Sequence, residues 1–116
     1  MEPNLVEKLL NNINEKLDKI TKAIILKSLL EYRESNKETI EKLVNTDILK
    51  AVWDVCDGNL NITEIGEKLG KNKGTISAQI KPWSDAKIVF DIAKNNSRYP
   101  INIDLLIESI IVSCIN

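Results

Sequence analysis

The chain has no histidine, only two cysteines (Cys56 and Cys114), and few aromatics: two Trp, two Tyr and one Phe. Each shortage excludes something. Without histidine there is no imidazole acid–base or triad chemistry. Two cysteines fall short of the four or so Cys/His ligands of a zinc site, so no metal centre is expected. Both thiols sit in apolar settings, "AVWDVCDG" and "IIVSCIN", where cysteine behaves as a small hydrophobe. With four glycines and none in a phosphate-cradling run, and no cluster of carboxylates or nucleophile with a base, the chain is not expected to be an enzyme or to carry a cofactor. No uncharged apolar run approaches the ~18–20 residues that cross a bilayer. The first residues, "MEPNLVEKLL", include acids and lack the basic start of a secretory signal, so a cytoplasmic location is expected. Nor is there an excess of one charge: the net charge is −1 and the pI about 5.5.

What is present is aliphatic. At 116 residues with 43% hydrophobic content, one domain with a core of Ile, Leu and Val is expected. Asn4 and Glu7 stand at capping-box spacing ahead of an apolar-periodic run. Val6, Leu10, Ile13, Leu17, Ile20 and Ile24 then recur at alternating intervals of four and three, a heptad seam with Leu10, Leu17 and Ile24 at a and Val6, Ile13 and Ile20 at d. Lys27 takes the next d position and ends it. Pairing of two chains through these six residues is expected, the alternative being a core helix packed on its own chain. Leu at a with Ile at d does not favour a parallel dimer, so strand number and orientation stay open. Beyond Ala23 the apolar face widens to Ile25, Leu26, Leu29 and Leu30, as in a helix buried on several sides.

"RESNKET" (33–39) reads as a polar break, followed by a short amphipathic piece around Ile40, Leu43 and Val44. Thr46 is placed to cap a helix that "DGN" at 57–59 stops. Further on, "KIVFDIAKNNSRYPINI" (87–103) has β-branched segments flanking Asn95-Asn96-Ser97, a hairpin signal. Asp104 then caps a last helix, "LLIESIIVSCI".

The most informative stretch is "ITEIGEKLGKNKGTISAQI" (62–80). Ile65 and Leu69, then Ile76 and Ile80, are i, i+4 pairs whose faces close over a shared core. Gly70 falls where the chain reverses and positive φ is needed, Asn72 is placed to cap the second helix, and Gly66 permits close approach. Extended to "ITEIGEKLGKNKGTISAQIKPWSDAKIV", the stretch resembles the winged helix-turn-helix regulators, including the arsenic-repressor and multiple-antibiotic-resistance-repressor types. Leu69, Gly70, Thr75, Ile76, Ser77, Ile80, Lys81, Ala86, Ile88 and Val89 match that pattern in type and spacing, within a correspondence over about 46–103. The resemblance implies a mainly α fold with a small β-hairpin wing: a winged helix-turn-helix with added N- and C-terminal helices for pairing. It departs at Gly66, usually alanine, at Lys87, usually glycine, and in lacking the arsenic-repressor metal ligands. Pro82 is expected to kink or end the second helix near Ile80 or Lys81.

Charge sorted by region fits that implication. Residues 1–60 carry nine basic and eleven acidic groups, residues 61–100 seven and four, and residues 101–116 two acids only. The positive excess is therefore confined to the segment that would face a duplex. With Ile76, Ile80 and Trp83 inward, Lys73, Gly74, Ser77 and Lys81 turn outward. Lys73 and Ser77 are candidates for base edges, and Thr75 and Gln79 for phosphates. Lys71, Asn72, Lys81, Lys94 and Arg98 complete the candidate DNA-binding set, Arg98 being the best candidate for the minor groove. The expected division is a pairing helix over 1–34, a winged helix-turn-helix over 38–103 with recognition helix 73–81 and wing 88–103, and a C-terminal helix over 104–116. The expected function is a dimeric, sequence-specific regulator of double-stranded DNA, a repressor in its simplest form, whose paired recognition helices lie about 34 Å apart. The alternatives are a winged-helix protein-interaction module and a nonspecific architectural DNA binder. Leu105, Leu106, Ile107, Ile110 and Ile111 are candidates for an effector pocket against the first helix, or for subunit contact or core.

Overall fold

A computed structural model describes residues 3–115, and among them six helices and one hairpin follow in the order α1 (Pro3–Ser35), α2 (Lys37–Leu43), α3 (Asp47–Val55), α4 (Ile62–Leu69), α5 (Lys73–Asp85), β1 (Val89–Lys94), β2 (Ser97–Asn102) and α6 (Ile103–Ile115). The fold is mainly helical with a small two-stranded antiparallel sheet. No described helix is long and apolar enough to cross a membrane.

The core collects one face of each short element. Val52 and Trp53 of α3, Ile65 of α4, Ile76, Ile80 and Trp83 of α5, Ile88, Val89, and Ile103 and Ile107 of α6 are all buried together. The two indoles meet edge to face with centroids 5.3 Å apart. Trp83 Nε1 also donates to the Leu43 carbonyl at 3.0 Å, which satisfies an orphan acceptor at the end of α2. That anchored indole explains a correction at Pro82. The proline does not end α5 near Ile80 or Lys81: the helix continues to Asp85, because the last turn is held by Trp83 burial and by Ala86 N–H donating to Pro82 O at 3.0 Å.

Side-chain caps set most helix starts. Thr46 Oγ1 accepts from Leu49 N–H, and Asn61 with Glu64 forms a reciprocal capping box on α4. α4 closes in a Schellman arrangement, with Gly70 at φ 67°, Lys71 N–H donating to Gly66 O at 2.8 Å and Gly70 N–H to Glu67 O. Asn95 and Asn96, at φ 48° and 65°, form the two-residue hairpin tip. Lys87, where the resembling family has glycine, sits at φ 59°.

Three expectations about helix ends need correction. Asn4 lies inside α1, one residue after Pro3, and is not its N-cap. The polar break at 33–39 shrinks to Asn36: α1 runs to Ser35 and α2 begins at Lys37. Asp104 is not the cap of α6. That role falls to Asn102, whose buried side chain accepts from Leu105 N–H at 2.8 Å and donates to Trp53 O at 2.7 Å. Asp104 instead receives Arg33 Nε at 2.9 Å, which ties α6 to α1 and raises the Arg33 pKa.

α6 lies along the second half of α1, with Asp104 at Arg33 and Ser113 and Cys114 near Glu15–Lys22. Leu26, Leu29 and Tyr32 of α1 are partly buried against the core, and Tyr32 Oη donates to Lys87 O at 2.8 Å. Ile25 and Leu30 remain exposed, so α1 is not buried on several sides within one chain. Cys114 is exposed too, unlike Cys56, whose thiol is buried with its pKa pushed up to about 12, chiefly by desolvation. The radius of gyration is 18.3 Å, against roughly 13 Å for a compact chain of this length. The excess comes from the first half of α1, which projects with every residue from 4 to 21 exposed.

Candidate nucleic-acid interface

The N-termini of α4 and α5 open toward the hairpin tip. Asn61, Ile62 and Thr63 from the start of α4, Lys73 from the start of α5, and Asn96, Ser97 and Arg98 from the hairpin line one cleft of about 270 Å³. Two helix N-termini bring unsatisfied N–H groups and positive dipole ends to it. Lys73 and Arg98 add full charges, and no acidic residue lines it. Such a cleft is chemically suited to an anion.

The α5 face behaves as the spacing requires. Ile76, Ile80 and Trp83 are buried, while Lys73, Gly74, Thr75, Ser77 and Lys81 are exposed. Lys73, Ser77 and Lys81 form one i, i+4 ridge. A Cβ on Gly74 would meet only Asn72 Oδ1, at an ordinary 3.5 Å, so nothing within the chain requires glycine there.

Other members of the candidate set stand apart from that ridge. Asn72 spends its Oδ1 on the cap of α5, accepting from Thr75 N–H at 2.8 Å, which leaves only its amide hydrogens outward. Gln79 is half-buried with Oε1 turned inward and without a hydrogen-bond partner, which does not suit the phosphate contact expected of it. Lys71, also half-buried, borders a separate apolar hollow formed with Asp47, Ile48, Ala51 and Leu69. Successive strand residues face opposite ways, so Lys94 and Arg98 project from opposite faces of the hairpin. Lys94 Nζ lies 5.5 Å from the Tyr99 ring centroid, and Arg98 Nη1 lies 3.9 Å from Asp91. Only Lys73 and Arg98 of the ten candidates meet in the cleft.

Sequence reasoning missed Asn61, Thr63, Asn96 and Ser97. One signal was available: the Asn61–Glu64 capping box fixes the positive end of α4. The approach of Ser97 carried no local signal. No family model, curated protein or solved structure matches the chain.

Proposed function

We propose that the chain is a winged helix-turn-helix regulator that binds double-stranded DNA sequence-specifically as a homodimer and acts, in the simplest case, as a repressor. α5 serves as the recognition helix, carrying Lys73, Ser77 and Lys81 into the major groove. The hairpin serves as the wing, with Arg98 on the flanking backbone or minor groove. The single observation supporting this most is the acid-free cleft that joins Lys73, Arg98 and two helix N-termini. The six seam residues of α1, all exposed within one chain, provide the pairing surface.

The test starts with a motif selected from a random duplex library, on which binding is followed by fluorescence anisotropy across a salt series. Three cations per subunit at phosphates, Lys73, Lys81 and Arg98, give a log–log slope of roughly −3, or about −5 for a pair. Lys73→Glu and Arg98→Glu each flatten the slope and weaken binding about tenfold or more. A slope near zero that neither substitution alters would refute DNA binding, and a library that enriches no motif would leave only the architectural reading.

A protein-interaction module is the second reading, favoured by the hollow of Ile48, Ala51 and Leu69, where Ile48 is 58% exposed.

A further inference from the structure

We infer that two copies of the chain pair through α1 in antiparallel orientation, holding their DNA-binding bodies at opposite ends of a rod. This rests on the homodimer proposed above and specifies its geometry. Val6, Leu10, Ile13, Leu17, Ile20 and Ile24 are between 39% and 62% exposed, with no covering element among the described residues. A continuous apolar stripe exposed along the projecting half of α1 marks a surface that a partner would cover. A second copy supplies enough surface. Six seam side chains and Leu9 from each chain, about half exposed, bury on the order of 1,200 Å² in total, the lower edge of stable interfaces.

Three features select the antiparallel form. First, in a parallel in-register pair each layer repeats itself, Leu on Leu at a and Ile on Ile at d, a combination that favours three or four strands over two. An antiparallel pair centred near residue 15 mixes the layers: Val6 with Ile24 of the second copy, Leu10 with Ile20, and Ile13 with Leu17.

Second, parallel pairing continues the seam into like charges, Lys27 on Lys27 at d and Glu31 on Glu31 at a. The antiparallel register sets Lys27 against Pro3 of the second copy instead of against a second lysine, and brings no two Glu31 side chains together. Third, residues 15–27 hold four lysines and two acids, whereas residues 4–14 hold one of each. Antiparallel pairing sets the positive half against the neutral half instead of against itself. It also brings Leu9 to Ala23, where parallel pairing would bring it to Asn14. One like-charged approach remains, Lys16 to Lys16 at the centre, on an exposed flank with Glu15 beside it.

The consequence is a long span. α6 and the core lie against the second half of α1, around Leu26 to Arg33. At 1.5 Å per residue from a centre near residue 15, the stretches of α1 that carry the two bodies lie roughly 33–54 Å apart, about 44 Å at their middle. The 34 Å expected of a generic pair is therefore exceeded. Half-sites on one duplex would lie about 13 base pairs apart, centre to centre.

The test uses the full chain with Cys114→Ser, which leaves only the buried Cys56, and a nitroxide on Ser28→Cys. Electron–electron distance measurement without DNA should give about 40 Å, since Ser28 then faces the start of the second α1. Sedimentation should give a dimer. A distance below about 20 Å means parallel pairing and overturns the inference, as does a monomer or a higher oligomer. Because no DNA is present, loss of duplex binding in the anisotropy experiment leaves this result standing, and the converse also holds.

Discussion

Replacing Gly66 with alanine sets two forces against each other. Alanine is the better helix former by about 1 kcal/mol, so propensity alone predicts a more stable α4. Geometry predicts the opposite. A Cβ at this position would stand 2.5 Å from the Lys71 carbonyl oxygen, and that oxygen is backbone, not the free end of a side chain. To make room, the turn after Gly70 must move. Lys71 N–H, which donates to Gly66 O at 2.8 Å, moves with it. So does Asn72, whose Oδ1 caps α5. Weakening a backbone hydrogen bond costs about 1 kcal/mol and weakening a cap about 1 more, with strain added. The net loss is about 1–2 kcal/mol, which lowers the melting temperature by roughly 4–8 °C for a domain of this size. Thermal unfolding followed by far-UV circular dichroism reads this directly. Gly70→Ala serves as a control. At φ 67° with nothing within 4 Å of its Cβ, it carries conformational cost without collision. If Gly66→Ala melts at or above the unsubstituted protein, the close approach does not exist and the turn geometry is wrong.

Two further outcomes follow from groups buried away from the cleft. Asn102→Ala removes a donor to Trp53 O and the cap of α6 together, and should cost about 2–3 kcal/mol in denaturant unfolding; a loss below about 0.5 kcal/mol would refute its joining role. The two thiols should separate cleanly: Cys114 reacts rapidly with a thiol reagent in the native protein, and Cys56 only after unfolding. Cys56 has a folded-state pKa near 12, above its unfolded value, so its contribution is complete below about pH 8.5 and is lost as pH rises toward 12. Cys56→Ala should flatten the alkaline decline in stability, and an unchanged decline would assign it to other groups.

Legibility in the sequence followed locality. The caps at Thr46 and Asn72, the reversal at Gly70 and the Asn95-Asn96 tip are set by residues within four positions of one another, and each was read; the equally local cap at Asn61 was missed. The errors arose where a distant partner decided. Asn102 and Asp104 are both competent caps two residues apart; Trp53 O claims the first and Arg33 the second, across 49 and 71 residues. Residues 33–35 are polar and show no apolar periodicity, yet helix persists because Arg33 reaches Asp104 and Asn36 Nδ2 bonds back to Tyr32 O. At Pro82 the local rule was outweighed by Trp83. The interface divides in the same way. The ridge of Lys73, Ser77 and Lys81 comes from helix period alone, but the cleft draws residues from 61–63, 73 and 96–98, which only the tertiary fold assembles.

A net charge of −1 does not argue against a polyanionic ligand in a molecule of this shape. At physiological ionic strength, charges farther than about 8 Å act weakly through solvent. The acids of the first half of α1, such as Glu7, Glu15 and Asp18, ride on a helix that projects from a molecule 62 Å long. Their repulsion of a duplex at the cleft is largely screened. What a phosphate would meet there is Lys73, Arg98 and two helix ends, opposed at close range by Asp91, 3.9 Å from Arg98. That ion pair is highly exposed on the Arg98 side, with 80% of its side chain accessible, so water already competes for the guanidinium and a phosphate can take it at little cost. On the proposed reading, local arrangement rather than total charge would set the affinity for a duplex, and the segment from 61 to 100 carries a surplus of three positive charges.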